Sequence, residues 1–104
     1  PEMERQKTVL VVDDDMRIRQ LLRQHLEADG YHIEEARDGK EAIAQVKQVR
    51  PDLIVLDVMM PEIGGFDVAA ILKNDPDTMN IPIVLLSVVE DKERGYRLGV
   101  DRYL

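Results

Sequence analysis

Leu53-Ile54-Val55-Leu56-Asp57-Val58-Met59-Met60-Pro61 is a short apolar run broken by a single carboxylate. Bounded by Pro51 and Pro61, its continuous apolar start suits a strand buried on both faces. A carboxylate fits such a strand only where the chain leaves the core. Asp57 is therefore expected at the carboxyl edge of a sheet, where open α/β sheets bind their ligands. Asp also caps turns at strand ends. Taken alone, Asp57 suits both readings equally.

Working outward, Thr8-Val9-Leu10-Val11-Val12 is a second strand of the same buried type, and it ends in Asp13-Asp14-Asp15. Ile18, Leu21, Leu22 and Leu26 then recur at helical spacing, and Gly30 suits the residue that closes a helix. Asp15 suits that helix's N-cap or first turn. Tyr31 to Ala36 alternates weakly, as expected of a short strand nearer the sheet edge. Asp38 and Glu41 have capping-box spacing, Ala42, Ile43, Val46 and Val49 form the stripe of a second helix, and Pro51 stops it. Beyond the central strand, Phe66, Val68, Ala69, Ile71 and Leu72 predict a third helix ending near Asn74-Asp75-Pro76. Ile81 to Leu86 reads as a fourth strand, with Pro82 near its start, where a missing N–H matters least. Glu90 to Leu98 reads as a charged helix closed by Gly99, and Asp101-Arg102-Tyr103-Leu104 begins a fifth strand.

Strands alternating with helices imply a parallel sheet. The expected fold is α/β: a doubly wound, flavodoxin-like sheet of five parallel strands in the order 2-1-3-4-5. The chain has 104 residues, enough for one core, so residues 1–104 are expected to form a single domain. Hydrophobic residues make up 44% and charged residues 34%, which argues against disorder. Acidic residues outnumber Lys and Arg 21 to 14, giving a net charge of −7, so the domain by itself is expected to repel nucleic acid and attract cations or basic partners. No Cys is present, which excludes thiolate metal sites and thiol nucleophiles. No apolar run approaches the roughly 20 residues of a membrane span. The expected setting is cytoplasmic.

In the order 2-1-3-4-5 the first and third strands are neighbours, so Asp13, Asp14 and Asp57 converge at the switch point. Crowded carboxylates repel one another, and a hard divalent cation resolves the conflict. Oxygen-only ligands suit Mg²⁺. A carboxylate beside such an ion can accept a phosphoryl group, and the transfer needs mostly positioning and charge neutralisation. Ser87, at the end of the fourth strand, is placed to donate a hydrogen bond to phosphoryl oxygens.

With these residues in place the chain resembles the receiver domain of two-component response regulators. The motifs are Val11-Val12-Asp13-Asp14-Asp15, Leu56-Asp57-Val58-Met59-Met60-Pro61 with Gly64-Gly65 following, Ile83-Val84-Leu85-Leu86-Ser87, and Leu98-Gly99-Val100-Asp101-Arg102-Tyr103-Leu104. Each is weak alone; all of them in order are highly specific. The resemblance implies that Asp57 is the phosphoacceptor. Asp14 would be a direct Mg²⁺ ligand, Asp13 would act largely through water, and the Met59 backbone carbonyl would be a further ligand. Ser87 and Tyr103 would be the hydroxyl and aromatic switch residues. A sensor histidine kinase or phosphotransfer protein would donate the phosphoryl group. Phosphorylation would then switch a partner surface on the fourth helix and fifth strand. The domain would assist its own phosphorylation and dephosphorylation without being an enzyme with a turnover substrate. A homodimer, or a covalently linked output or kinase domain outside this chain, is compatible with the resemblance.

The chain also departs from the family. The Lys of the loop after strand five and the fifth helix are missing, so a domain truncated at its C-terminal end is expected. Val88 replaces a small residue and is expected to slow phosphorylation relative to Val88→Ala. Met59 and Val89 are both apolar and are expected to hinder the water that hydrolyses the phosphoaspartate. His25 and His32 fit surface or packing roles better than ligation, and Met59-Met60 fits loop packing. The Glu90 to Arg94 charge run suits a solvated helix face and a partner surface equally. Three rival functions remain. A phosphohydrolase would need an Asp where Met59 stands. A flavodoxin-like cofactor binder would need a Ser/Thr/Gly-rich phosphate loop in place of Asp13-Asp14-Asp15. A degenerate receiver acting only through protein interaction is kept open by the missing Lys.

Overall fold

A computed structural model describes residues 6–86 in full and residues 102–103 as backbone. The described elements run in the order β1 (Thr8–Val12), α1 (Met16–Ala28), β2 (His32–Ala36), α2 (Gly39–Val49), β3 (Leu53–Asp57), α3 (Gly65–Lys73), β4 (Ile83–Leu86) and β5 (Arg102–Tyr103). The helix expected over Glu90 to Leu98 lies outside the described residues.

The strands form one sheet in the order β2-β1-β3-β4-β5, every pairing parallel, as the alternation of strands and helices predicts. β1 and β3 are buried almost throughout, which is why both read as continuous apolar runs rather than alternating ones. β2 lies at the sheet edge and buries only Ile33 and Ala36. β4 is shorter than its sequence suggests. It begins after Pro82, whose carbonyl still accepts a hydrogen bond from the Ile54 N–H at 3.0 Å. Proline can accept at a strand entrance although it cannot donate.

Alternate residues of the same strands feed two cores. Leu10, Val12, Ile54, Leu56, Ile83 and Leu85 meet Ala42 and Val46 of α2 and Phe66, Val68, Ala69 and Leu72 of α3. On the other face, Val9, Val11, Ile33 and Val55 are met by Leu22 and Leu26 of α1. The helix stripes correct the periodicity in places. Ile18 and Leu21 of α1 are 37% and 51% exposed, and Ile71 of α3 is 45% exposed. Helical spacing ranks these residues with the core because it cannot tell how wide a face the sheet covers.

The helix ends follow local chemistry. The Asp15 side chain caps α1 by accepting from the Arg17 N–H at 2.9 Å. Gly30, just past α1, takes a φ of +95°, the left-handed conformation that favours glycine. Asp38 caps α2 by accepting from the Glu41 N–H at 2.8 Å. The expected capping box is altered, because Glu41 returns its hydrogen bond to the Arg37 N–H, one residue before the cap. α2 stops at Arg50, which adopts a left-handed φ of 52° ahead of Pro51.

Candidate phosphoacceptor and metal site

Two strand ends build the site. β1 delivers Asp13 and Asp14 past its carboxyl end, and β3 ends on Asp57. Because β1 and β3 are paired neighbours, the acidic turn and Asp57 meet at the same edge. Carboxylate oxygens of Asp13, Asp14 and Asp57 lie within 4.8 Å of one another. Asp13 is 6% exposed, Asp57 is half-buried and Asp14 is exposed.

Backbone hydrogen bonds hold this geometry. The Asp13 N–H donates to the Ala36 carbonyl on β2 at 3.1 Å. Asp13 Oδ1 accepts from the Asp15 N–H at 2.8 Å, folding the acidic turn back on itself. Asp57 Oδ1 accepts from the Met59 N–H at 3.2 Å, and the Val58 N–H reaches the Leu86 carbonyl at 3.2 Å. Gly65 starts α3 directly beneath this turn, and its N–H donates to the Val58 carbonyl at 3.0 Å. A Cβ on Gly65 would collide with the Asp57 carbonyl oxygen and lie 2.7 Å from Val58 Cα. Only glycine allows the helix to approach this closely.

The electrostatics are unbalanced. Burial, together with the charges of Asp57, Asp14 and Asp15, pushes Asp13 up to about 6, only partly offset by the Asp15 N–H. Burial is also the main cause raising Asp57, and Asp14 adds to it against the hydrogen bonds from Met59 and Val58. Among the described residues, none of the ion pairs involves these three carboxylates. A divalent cation fits such a donor set: all oxygen, negatively charged, and lacking the His or Cys that zinc prefers.

The sequence-derived site is thus brought together for Asp13, Asp14 and Asp57. Met59 adjoins Asp57 through its N–H, but its side chain is 67% exposed and does not pack as expected. Met60, by contrast, packs against the α2–α3 core. Ser87, Val88, Val89 and the Tyr103 side chain lie outside the described residues, although the Tyr103 backbone pairs with Leu85. His25 is exposed, and His32 Nε2 sits 2.7 Å from Glu34 Oε2; neither joins the carboxylates. Sequence reasoning missed Arg19, which donates to the Asp13 carbonyl at 2.6 Å. An arginine recurring within an otherwise apolar helix face, opposite Glu34-Glu35 on the next strand, was the available signal.

Fold and site together define a doubly wound α/β domain with a carboxylate cluster at its switch point. Residues 9–104 match the response regulator receiver domain, and the chain belongs to that family of two-component phosphoacceptor signalling modules. The DNA-binding dual master transcriptional regulator RpaA of Synechocystis is 39% identical over 99 residues, covering 92% of this chain and 41% of the relative. The chain spans about two fifths of the length of the curated relatives it matches. Among solved structures, the Vibrio cholerae chemotaxis protein CheY4 superposes with a TM-score of 0.89 at 34% identity, covering 96% of this chain and 86% of that one. The Mn²⁺-bound form of response regulator Rcp1 gives a TM-score of 0.84 at 33% identity, covering 94% and 79%. No helix among the described residues is long and apolar enough to cross a membrane.

Proposed function

We propose that Asp57 is the phosphoacceptor, with Asp13, Asp14, Asp57 and the Met59 carbonyl holding Mg²⁺. The observation that carries this reading is the convergence at one sheet edge of three carboxylates, two with raised pKa values, that form no ion pair among the described residues. The Mn²⁺-bound relative supports a divalent ion. When bound, the ion supplies charge neutralisation for the phosphoryl oxygens. An Asp57 carboxylate oxygen attacks the donor phosphorus, the bond from phosphorus to the donor breaks, and the donor leaves with the bonding pair. The turn held by the Met59 N–H orients Asp57 for that attack.

The donor in this reading is a histidine kinase or phosphotransfer protein in the cytoplasm. Ser87 and Tyr103 carry the switch toward a partner surface on the fourth helix and β5, and output passes to a linked domain or partner. The domain assists gain and loss of its phosphoryl group and turns over no other substrate.

The test is intact mass after incubation with Mg²⁺ and a small acyl phosphate. One phosphoryl group on the wild type, lost in Asp57→Asn and without Mg²⁺, is the expected result. An unmodified protein with both acyl and histidine phosphodonors would leave only an interaction role.

A further inference from the structure

We infer that Arg19 is a positioning residue for the carboxylate site: it holds the Asp13–Asp14 peptide and so aims the metal-binding side chains. The inference rests on the metal-binding reading above. Arg19 Nη1 donates to the Asp13 carbonyl at 2.6 Å, and Arg19 Nε donates to Glu35 Oε1 at 2.9 Å. The other Glu35 oxygen, Oε2, accepts from Arg23 Nε at 2.6 Å. Arg23 in turn reaches Glu27 Oε2 at 2.8 Å and the Ile33 carbonyl at 3.4 Å. The Arg19 side chain is only 14% exposed.

The location of this clamp matters more than its strength. The Asp13 N–H is fixed to the Ala36 carbonyl, and the Asp13 carbonyl is fixed through Arg19 to Glu35, so both sides of the residue are tied to β2. A peptide is planar, so pinning its carbonyl restricts ψ of Asp13 and φ of Asp14 together. Those two angles set the relative directions of the two Cα–Cβ bonds from which the carboxylates extend. At the acidic turn itself the guanidinium binds backbone rather than the Asp13 or Asp14 carboxylate. It brings a permanent positive charge close to the cluster while leaving the carboxylate oxygens free for a cation. Arg23 and Glu27 belong to the same network but have no hydrogen bond to the acidic turn, which makes Arg23 the natural control.

Calorimetric titration of the full chain with Mn²⁺ separates the possibilities. Asp14→Asn should abolish binding. Arg19→Gln should weaken it by about tenfold, the usual scale for groups that orient metal ligands. Arg23→Gln should leave the affinity unchanged. Without metal, the Asp15 amide bonded to Asp13 Oδ1 should exchange with solvent faster in Arg19→Gln than in Arg23→Gln. If Arg19→Gln fails to fold, Arg19→Lys decides. Its single ammonium cannot span the Asp13 carbonyl and Glu35 together, so a smaller loss in the same direction is expected. Wild-type affinity in the Arg19 variants, or equal losses in the Arg19 and Arg23 variants, would overturn the positioning role. A wild type that does not bind Mn²⁺ would instead remove the metal site, and the inference with it.

Discussion

Asp13 and Glu35 are carboxylates near the interface of adjacent strands, and their surroundings drive them in opposite directions. Burial disfavours the charge of each. At Glu35, hydrogen bonds from Arg23 and Arg19 outweigh burial and hold the carboxyl below the usual range. At Asp13, the neighbours are Asp57, Asp14 and Asp15, and the carboxyl rises to about 6. One region is a satisfied ion cluster joining α1 to β2; the other is a cluster of like charges with no ion pair among the described residues. Burial does not decide the direction in which a carboxylate is driven here. The sign of its neighbours does.

The contrast can be broken at its strongest point by Glu35→Ala. This substitution leaves Arg19 and Arg23 without their shared anion and should cost about 2 kcal/mol in urea unfolding, below the cost of breaking a fully buried pair because Glu35 keeps some solvent access. A cost near zero would reduce the clamp to a surface ion pair.

Asp13→Asn should act in the opposite sense. Removing a repelled charge should stabilise the metal-free protein by about 1 kcal/mol at neutral pH. It should also remove the thermal stabilisation expected from Mg²⁺ in the wild type, as followed in melts with and without the ion.

A pH series sharpens the contrast further. The Asp13 pKa is raised from 3.8 to about 6 in the folded protein, so the folded state holds the extra proton between those values. Its contribution to stability therefore falls as pH rises across that window and is least favourable above it. Glu35 is lowered from 4.5, so its contribution is present above that value and is lost as pH falls through its folded pKa. Metal-free protein should gain a few degrees in melting temperature between pH 7 and pH 5, as expected for changes of about 1 kcal/mol in a domain of this size. Asp13→Asn should show little of that gain. Saturating Mg²⁺ should reverse the slope, because the ion and the proton compete for the same oxygens.

The smallest effect is expected at the outer end of the clamp. Glu27→Gln breaks a half-exposed pair one helical turn from Arg23, and should cost roughly 0.3–0.5 kcal/mol and leave Mn²⁺ affinity intact. A larger loss, read in the same urea series, would extend the cooperative network beyond Glu35.

Much of the fold is legible in short-range pattern. Continuous apolar runs mark β1 and β3, Asp15 and Asp38 announce their helices, and the alternation of elements implies the parallel order seen in the sheet. Boundaries and faces are less legible. Pro82 falls outside β4 yet still takes part in its pairing with β3, and Glu41 bonds to Arg37 rather than closing a box with Asp38. Ile18 and Leu21 share a helical period with Leu22 and Leu26, but only Leu22 and Leu26 pack against the sheet.

The sequence by itself determined which chemistry is available: carboxylates at the ends of two buried strands, no thiol, and no histidine in either motif. Local pattern suffices for that, because strand burial and helix capping depend on residues a few positions apart. Tertiary structure alone decided how those carboxylates behave. Desolvation of Asp13 and Asp57, and the repulsion between the acidic turn and Asp57, exist only once β1 and β3 pair, and the approach of Gly65 to Asp57 only once α3 docks beneath them. The destination of Arg19 belongs to the same class. A long, flexible cation could have faced solvent, and the neighbouring β2 strand gave it Glu35 as an anchor and the Asp13 carbonyl as its target.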